Sequence, residues 1–240
     1  MNKLVAQIGY WSSLVVVAGL IMSGLIGNLI IVLIAPQQLN WQSIEYYAAS
    51  FHSVQTLPQA AGIIMVLGFI GVMVSIHFYT LPDKKILGQL GIIFATIYAT
   101  IVSVNYIIVL SVVKTNIQSG NLDGLTLHIV GNPYSISWAR EMLGYGFMGL
   151  STLVTAPIFQ GNRLQNWIRR LFIWNGITGI FGVIGIVIAD PGWVLAPIGL
   201  ASWLIWTVVI IIPFVLLCIL FRQTIRDIEY KIIMVREHGR

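Results

Sequence analysis

The sequence predicts an all-α, polytopic membrane protein: six transmembrane helices, both termini cytoplasmic, and a short interfacial helix in the first outer loop. Three observations carry this expectation. Of the 240 residues 58% are hydrophobic and only 9% charged, where a soluble domain carries roughly 25% charged residues. Mean hydropathy is +0.89. Six stretches are long enough, at roughly 20 apolar residues, to cross about 30 Å of hydrocarbon. Strands of an outer-membrane barrel would read as ten-residue segments of alternating polarity, and none do. A soluble enzyme, a disordered chain and a nucleic-acid binder are excluded on the same grounds.

The first stretch, Trp11–Ile34, follows Lys3. It is too long for a signal peptide, lacks a small-x-small cleavage site and reads as a retained anchor. In the loop after it Trp41, Ile44, Ala48, Phe51 and Gln55 recur at steps of three and four, the spacing of an amphipathic helix lying in the outer interface. The second span, Leu57–Thr80, opens with Thr56 as N-cap, Pro58 in the first turn and Gln59 closing a capping box. Ile86–Val113 is the third span, after the short connection Leu81–Lys85. An irregular outer loop containing Gly120, Gly124, Gly131 and Asn132-Pro133 leads to the fourth, Ser137–Phe159. Trp167–Ala189 and Trp193–Phe221 form the last pair, joined by the tight turn Asp190-Pro191-Gly192. The reading is one domain over 1–240, ending in a basic tail, 222–240. Pro197 and Pro213 are expected to kink the sixth helix.

Charge sets the orientation. Eleven of the thirteen Lys and Arg fall on one side of this six-span frame, and only Lys114 and Arg140 on the other. An 11:2 split places both ends in the cytoplasm. The net charge of +5 is thereby a topology signal and needs no nucleic-acid partner. The basic tail is suited to anionic lipid. Tyr10, Trp11, Trp167 and Phe221 are expected at the inner interface, with Trp41, Trp138 and Trp193 at the outer one. Small residues, notably Gly19-Ser23-Gly27, Gly71-Ser75 and Gly176-Gly179-Gly182-Gly185, mark helix contacts. The single cysteine, Cys218, has no partner for an intrachain disulfide.

Ionisable groups at membrane depth are costly, and so are the first place to look for function. The fourth span carries Arg140 and Glu141 in its first turn. His52, Gln55 and Gln59 approach the second span, and Asn105 and Tyr106 lie in the outer third of the third. Because these spans alternate in direction, all seven residues belong to the outer half, where they could line one outward-facing polar pocket. The third span also carries Gln89, Thr96, Thr100 and Ser103 at steps of seven, four and three. This stripe is expected to face the bundle interior, hydrogen-bonding to neighbouring helices or leading toward the cytoplasm. A bis-histidine haem is excluded by the histidine placement. His52, His128 and Glu141 have no ligand spacing, so no metal or other cofactor is indicated. Zinc-protease, nucleophile-elbow, P-loop and dinucleotide motifs do not occur.

Three stretches are similar to a known group. They are Asn105–Val113, then Glu141-Met142-Leu143-Gly144-Tyr145 running on to Ala156-Pro157-Ile158-Phe159, and Trp167–Phe172 followed by Asn175-Gly176. Together, over about a third of the chain, they resemble a group of uncharacterised six-helix prokaryotic integral membrane proteins. The resemblance implies a prokaryotic cell membrane and six helices. It implies no activity, so no functional residue is carried over from it.

The functional expectation is a protein that binds or transports a small molecule or lipid through the outer pocket of Glu141, Arg140, His52, Gln55, Gln59, Asn105 and Tyr106. Glu141 would recognise a cationic or hydroxylated group beneath an aromatic loop helix. Two alternatives stand beside it. One is a non-catalytic subunit of a membrane assembly, with a protein partner or a second copy. The other is a lipid-acting membrane enzyme in which Glu141 and His52 share acid/base work.

Overall fold

Apolar stretches of this length wind into helices because lipid offers no partner to an unpaired backbone group. The computed structural model, which describes residues 1–34 and 41–238 and the side chains up to Met234, contains helices and no strands among the described residues. We number seven helices: α1 Lys3–Ile34, α2 Ile44–Ala49, α3 Leu57–Tyr79, α4 Pro82–Gln118, α5 Ile136–Thr155, α6 Arg163–Ile188 and α7 Pro197–His238. Within α1 and α4 the segments Ile21–Ile26 and Val109–Val113 are wound as π-helix.

Four helices, α1, α4, α6 and α7, and α3 with its preceding turn are long and apolar enough to cross a membrane. The helix from the fourth predicted span, α5, is not among these five. Arg140, Glu141 and its many Gly, Ser and Thr residues lower its hydropathy. It nevertheless lies between α4 and α6, packed against both.

Consecutive long helices run antiparallel and close into a ring. Glycines show the register. A Cβ on Gly19 would meet Met65, and one on Gly27 would meet Pro58, so α1 descends against a rising α3. Gly62 faces the Tyr106 ring and Gly88 faces His77, pairing α3 with α4. Gly144 faces Val102 and Gly91 faces Thr155, pairing α4 with α5. Gly149 packs on the backbone of Gly176 and Gly179, pairing α5 with α6. Asn175–Trp206 and Phe172–Phe214 join α6 to α7. Gly9 against Phe221 and Gly24 against Thr207 return α7 to α1.

The middle of the ring is filled. Phe69 packs edge-on against Tyr98 at 5.4 Å and Phe214 at 5.9 Å. Phe214 meets Phe172 at 6.2 Å, and Phe172 meets Phe159 at 5.6 Å. Tyr98 and the four phenylalanines are all fully buried. Such offset and edge-to-face pairs contribute roughly 0.5–1.5 kcal/mol each beyond area burial.

Polar side chains pin the two ends. At the basal end Lys3 pairs with Glu229 at 2.8 Å. There too Lys84 donates to the Pro157 carbonyl at 3.1 Å, Lys85 to that of His77 at 2.7 Å, and Gln165 to the Tyr79 hydroxyl at 2.6 Å. At the apical end Gln118 donates to Ser53 at 3.0 Å and Tyr134 to Asp190 at 2.8 Å. The Gly192 N–H and the Tyr134 hydroxyl hold the exposed Asp190 carboxyl below its ordinary range.

Several expectations change. The loop helix α2 is short and does not stand alone: Ile44 is buried with Val113, Ile117, Leu125 and Ile129 in a second apolar cluster, flanked by Trp41, Tyr47 and Phe51. The third long helix, α4, continues to Gln118, so it supplies part of that cluster. Residues 222–238 of the expected tail continue α7 without a break, and Pro197 begins that helix instead of kinking it. Phe221 is fully buried against Gly9 and is no interface aromatic. Among the described residues, a Cβ placed on Gly182 would have nothing within 4 Å, and one on Gly185 only the Trp193 ring at 3.8 Å. The glycine stripe of α6 therefore makes helix contacts along its first half alone.

Candidate functional site

The only acidic residue within the expected spans is Glu141, and the turn it occupies is set by Ser135, which caps α5 by accepting from the Trp138 N–H at 3.0 Å. From that cap Ser137, Glu141, Gly144, Met148, Thr152 and Thr155 fall on one face, and all are buried. Glu141 is 9% exposed. Its Oε1 accepts from the Tyr106 hydroxyl at 2.8 Å. With the Tyr106 proton so directed, the Tyr145 hydroxyl donates to Tyr106 Oη across 3.2 Å. Asn105, one residue before Tyr106, donates to the Ser137 carbonyl at 3.0 Å, one turn above Glu141.

Three buried oxygens in this region make no hydrogen bond among the described residues: Glu141 Oε2, Asn105 Oδ1 and Tyr98 Oη. Tyr98 stacks at a tilt on Tyr145, with ring centroids 5.9 Å apart. Buried polar atoms are normally satisfied, because leaving one unpaired costs about 1–3 kcal/mol. A carboxylate oxygen and an amide oxygen are both acceptors. The arrangement therefore suits a ligand that donates hydrogen bonds or carries positive charge.

Of the seven predicted pocket residues, the structure joins Asn105, Tyr106 and Glu141 and sets the other four to different tasks. His52 is exposed, and its Nδ1 accepts from the Val54 N–H at 3.3 Å. Gln55 is buried; its Oε1 accepts from the His52 N–H at 2.9 Å and its Nε2 donates to the Ser50 carbonyl at 3.2 Å. The capping box is thus His52 with Gln55, one turn before the expected Thr56 and Gln59. Thr56 makes no cap bond, and its hydroxyl donates to the Ser53 carbonyl at 2.8 Å. Gln59, with its amide nitrogen turned toward its own helix, donates to the Gln55 and Thr56 carbonyls at 3.1 and 3.2 Å. Pro58 does sit in the first turn of α3.

Arg140 and Glu141 part company on α5. Arg140 is half-buried and reaches up, its Nη2 lying 3.4 Å from His128 Nδ1 and 3.4 Å from Ser137 Oγ. Glu141 turns inward. His52, His128 and Glu141 each have separate partners, and among the described residues no three His, Cys, Asp or Glu side chains gather.

The polar stripe expected to face inward on α4 faces out. Gln89, Thr96 and Thr100 are exposed and Ser103 is half-buried. Thr96 and Thr100 bond back to the carbonyls of Ile92 and Thr96, both at 2.9 Å. The inner face of α4 is Gly88, Gly91, Ala95, Tyr98, Ala99, Val102, Asn105 and Tyr106. The small residues win that face because only they admit α5 and α3 at short range.

Sequence reasoning missed the polar groups that continue below Glu141. The Tyr145 ring meets Trp206 edge-on at 5.2 Å. The Trp206 indole donates to Asn175 Oδ1 at 3.1 Å, and Asn175 Nδ2 donates to Thr152 at 2.9 Å. Asn175 is 1% exposed and ties α5, α6 and α7 together. The signal was available in α5, where Glu141, Tyr145 and Thr152 share one helical stripe at steps of four and seven. Asn175→Ala leaves the Trp206 indole N–H without its acceptor and removes the bond Thr152 accepts, while the Thr152 hydroxyl keeps its own bond to the Gly149 carbonyl at 2.9 Å. The substitution is expected to lower stability by about 1–2 kcal/mol, read as an earlier thermal midpoint in detergent, and Trp206→Phe added to it should cost little more.

Comparison with protein-family models, with curated proteins and with solved structures gave no match.

Proposed function

We propose that this chain is a six-span integral membrane protein that binds, and in doing so carries, a small cationic or hydroxylated ligand at Glu141. The observation that supports it best is a carboxylate buried inside an apolar bundle, with one oxygen held by Tyr106 and the other, Oε2, making no hydrogen bond among the described residues. Asn105 and Tyr106 serve beside it. Tyr98 and Tyr145 replace His52, Gln55, Gln59 and Arg140 in the binding set, because the latter four are engaged in caps and loop contacts. In this reading α5 is the sixth span. Its 20 residues at 1.5 Å each reach roughly 30 Å, and its polar face is shielded by α4 and α6. The basal end, with Lys3, Lys84, Lys85 and Arg163, is cytoplasmic by the Lys and Arg excess, in a cell membrane. The apical cluster around Ile44 and Val113 then covers the outer end as a fixed cap more than a hinged lid.

The assembly-subunit reading keeps one supporting observation, the exposed polar stripe of Gln89, Thr96 and Thr100 on an otherwise apolar helix. The enzyme reading needs His52 and Glu141 to share a proton, whereas the bonds supporting each lie apart, His52 with its own turn and Glu141 with Tyr106.

Native mass spectrometry of the protein released gently from its own membranes tests the proposal. The expected result is an added mass of a few hundred daltons or less that is absent from Glu141→Gln, a variant that keeps the Tyr106 hydrogen bond and should express and melt like the parent. An adduct unchanged in Glu141→Gln overturns the site. A protein-sized adduct in fixed ratio supports the subunit reading in its place.

A further inference from the structure

Four residues of the first two turns of α6, Arg163, Asn166, Trp167 and Arg170, all exposed, line an open surface groove of about 430 Å³. Their spacing, i, i+3, i+4 and i+7, places them on one face of the helix. Three of the four can donate hydrogen bonds from charged or amide nitrogen, and the fourth is an indole. Arg170 is held over the Trp167 ring at 5.6 Å, which fixes the guanidinium without neutralising it. The one ion pair among the described residues is Lys3–Glu229, so neither arginine of the groove is matched by a carboxylate there. The helix adds to this field. Its 26 residues bring roughly half a positive charge to the N-terminal end. Trp167 is 47% exposed at the start of a helix apolar enough to cross a membrane, the depth at which tryptophan sits among lipid headgroups.

We infer that this groove binds a phosphate group, and that its source is the headgroup of an anionic phospholipid in the leaflet at the basal end. The guanidinium fork matches phosphate oxygens two at a time. Asn166 supplies an uncharged donor, and the Trp167 face shields the glycerol side of the headgroup from water. The inference rests on the membrane-spanning reading above and is independent of any ligand at Glu141.

The test uses the full chain in neutral detergent, titrated with phosphatidylglycerol, phosphatidylcholine or inorganic phosphate and followed by native mass spectrometry. Arg163→Gln, Arg170→Gln and Arg169→Gln are compared, since Arg169 adjoins the groove in sequence but does not line it. The expected result is one phosphatidylglycerol per chain, retained at least tenfold better than phosphatidylcholine. Arg163→Gln and Arg170→Gln lose that preference, and Arg169→Gln keeps it. If inorganic phosphate binds with the same variant pattern and phosphatidylglycerol shows no preference, the phosphate site stands with a soluble anion as its source. Equal losses in all three variants, or none in any, overturn the site. Glu141→Gln is carried in parallel and should leave lipid retention unchanged, so the two sites fail separately.

Discussion

Gly176→Leu is expected to be among the most damaging single substitutions in this chain. A Cβ at Gly176 would lie 2.5 Å from Leu153 Cβ and 3.0 Å from the Gly149 carbonyl oxygen. Gly149 and Gly179 face each other at similar range, with a Cβ on Gly149 3.3 Å from Gly179 Cα. The helices α5 and α6 therefore touch backbone to backbone. Side chains can swing away from an intruding leucine, but a helix backbone cannot. In lipid, where close packing and not water exclusion drives association, separating the pair forfeits contacts along the whole seam. The loss should be about 3 kcal/mol, at the upper part of the range for overpacking. The lone Cys218, 9% exposed, provides the readout. A thiol-reactive dye should label it at a clearly lower temperature in Gly176→Leu than in the parent. Gly182→Leu is the control: with nothing among the described residues within 4 Å of its Cβ position, it should leave the midpoint unchanged. Equal destabilisation by both would refute the close approach as the reason for the glycine.

Phe214→Ala should have a comparable effect for the opposite reason. Phe214 is fully buried and meets Phe69 from α3 and Phe172 from α6. Removing its ring opens a cavity where three helices meet at the centre of the bundle, and backbones held apart by other contacts cannot collapse to fill it. A loss of about 3–4 kcal/mol is expected from truncations of this kind. Phe214→Leu should recover most of it. Phe181→Ala, at a site 67% exposed, should leave the midpoint where it is. The same dye-labelling midpoint measures all three. A Phe214→Ala protein as stable as the parent would mean that the aromatic string does not carry the middle of the bundle.

The candidate site depends on that scaffold. Tyr106 reaches Glu141 only because Gly62 leaves room for its ring, and Tyr145 is placed by the same helix that carries Glu141. Gly62→Leu is accordingly expected to push Tyr106 off the carboxylate, abolishing the native-mass adduct assigned to Glu141 while α3 itself still forms.

Helix positions and approximate limits were legible because hydrocarbon thickness sets a minimum apolar length, and length is a property of the chain alone. That Arg140 and Glu141 must part company could also have been read, since neighbours in a helix are about 100° apart, but which of the two turns inward could not. What the sequence did not disclose was direction around each helix axis. In a soluble helix a polar stripe points outward to water, whereas in lipid Gln89, Thr96 and Thr100 of α4 can bond to their own helix or to a neighbour, so the stripe carried no sign of whether it pointed in or out. Close approach decided it: Gly88, Gly91, Ala95 and Ala99 had to face α3 and α5, and the threonines, satisfied by their own helix, were left outside. Likewise the composition announced a membrane protein with one acidic group at depth. Only the packing of α3, α4 and α5 decided that Tyr106, Tyr145 and Asn105, and not His52, Gln55, Gln59 or Arg140, surround it. Partners across helices are chosen by register, and register is set by contacts between residues far apart in the chain.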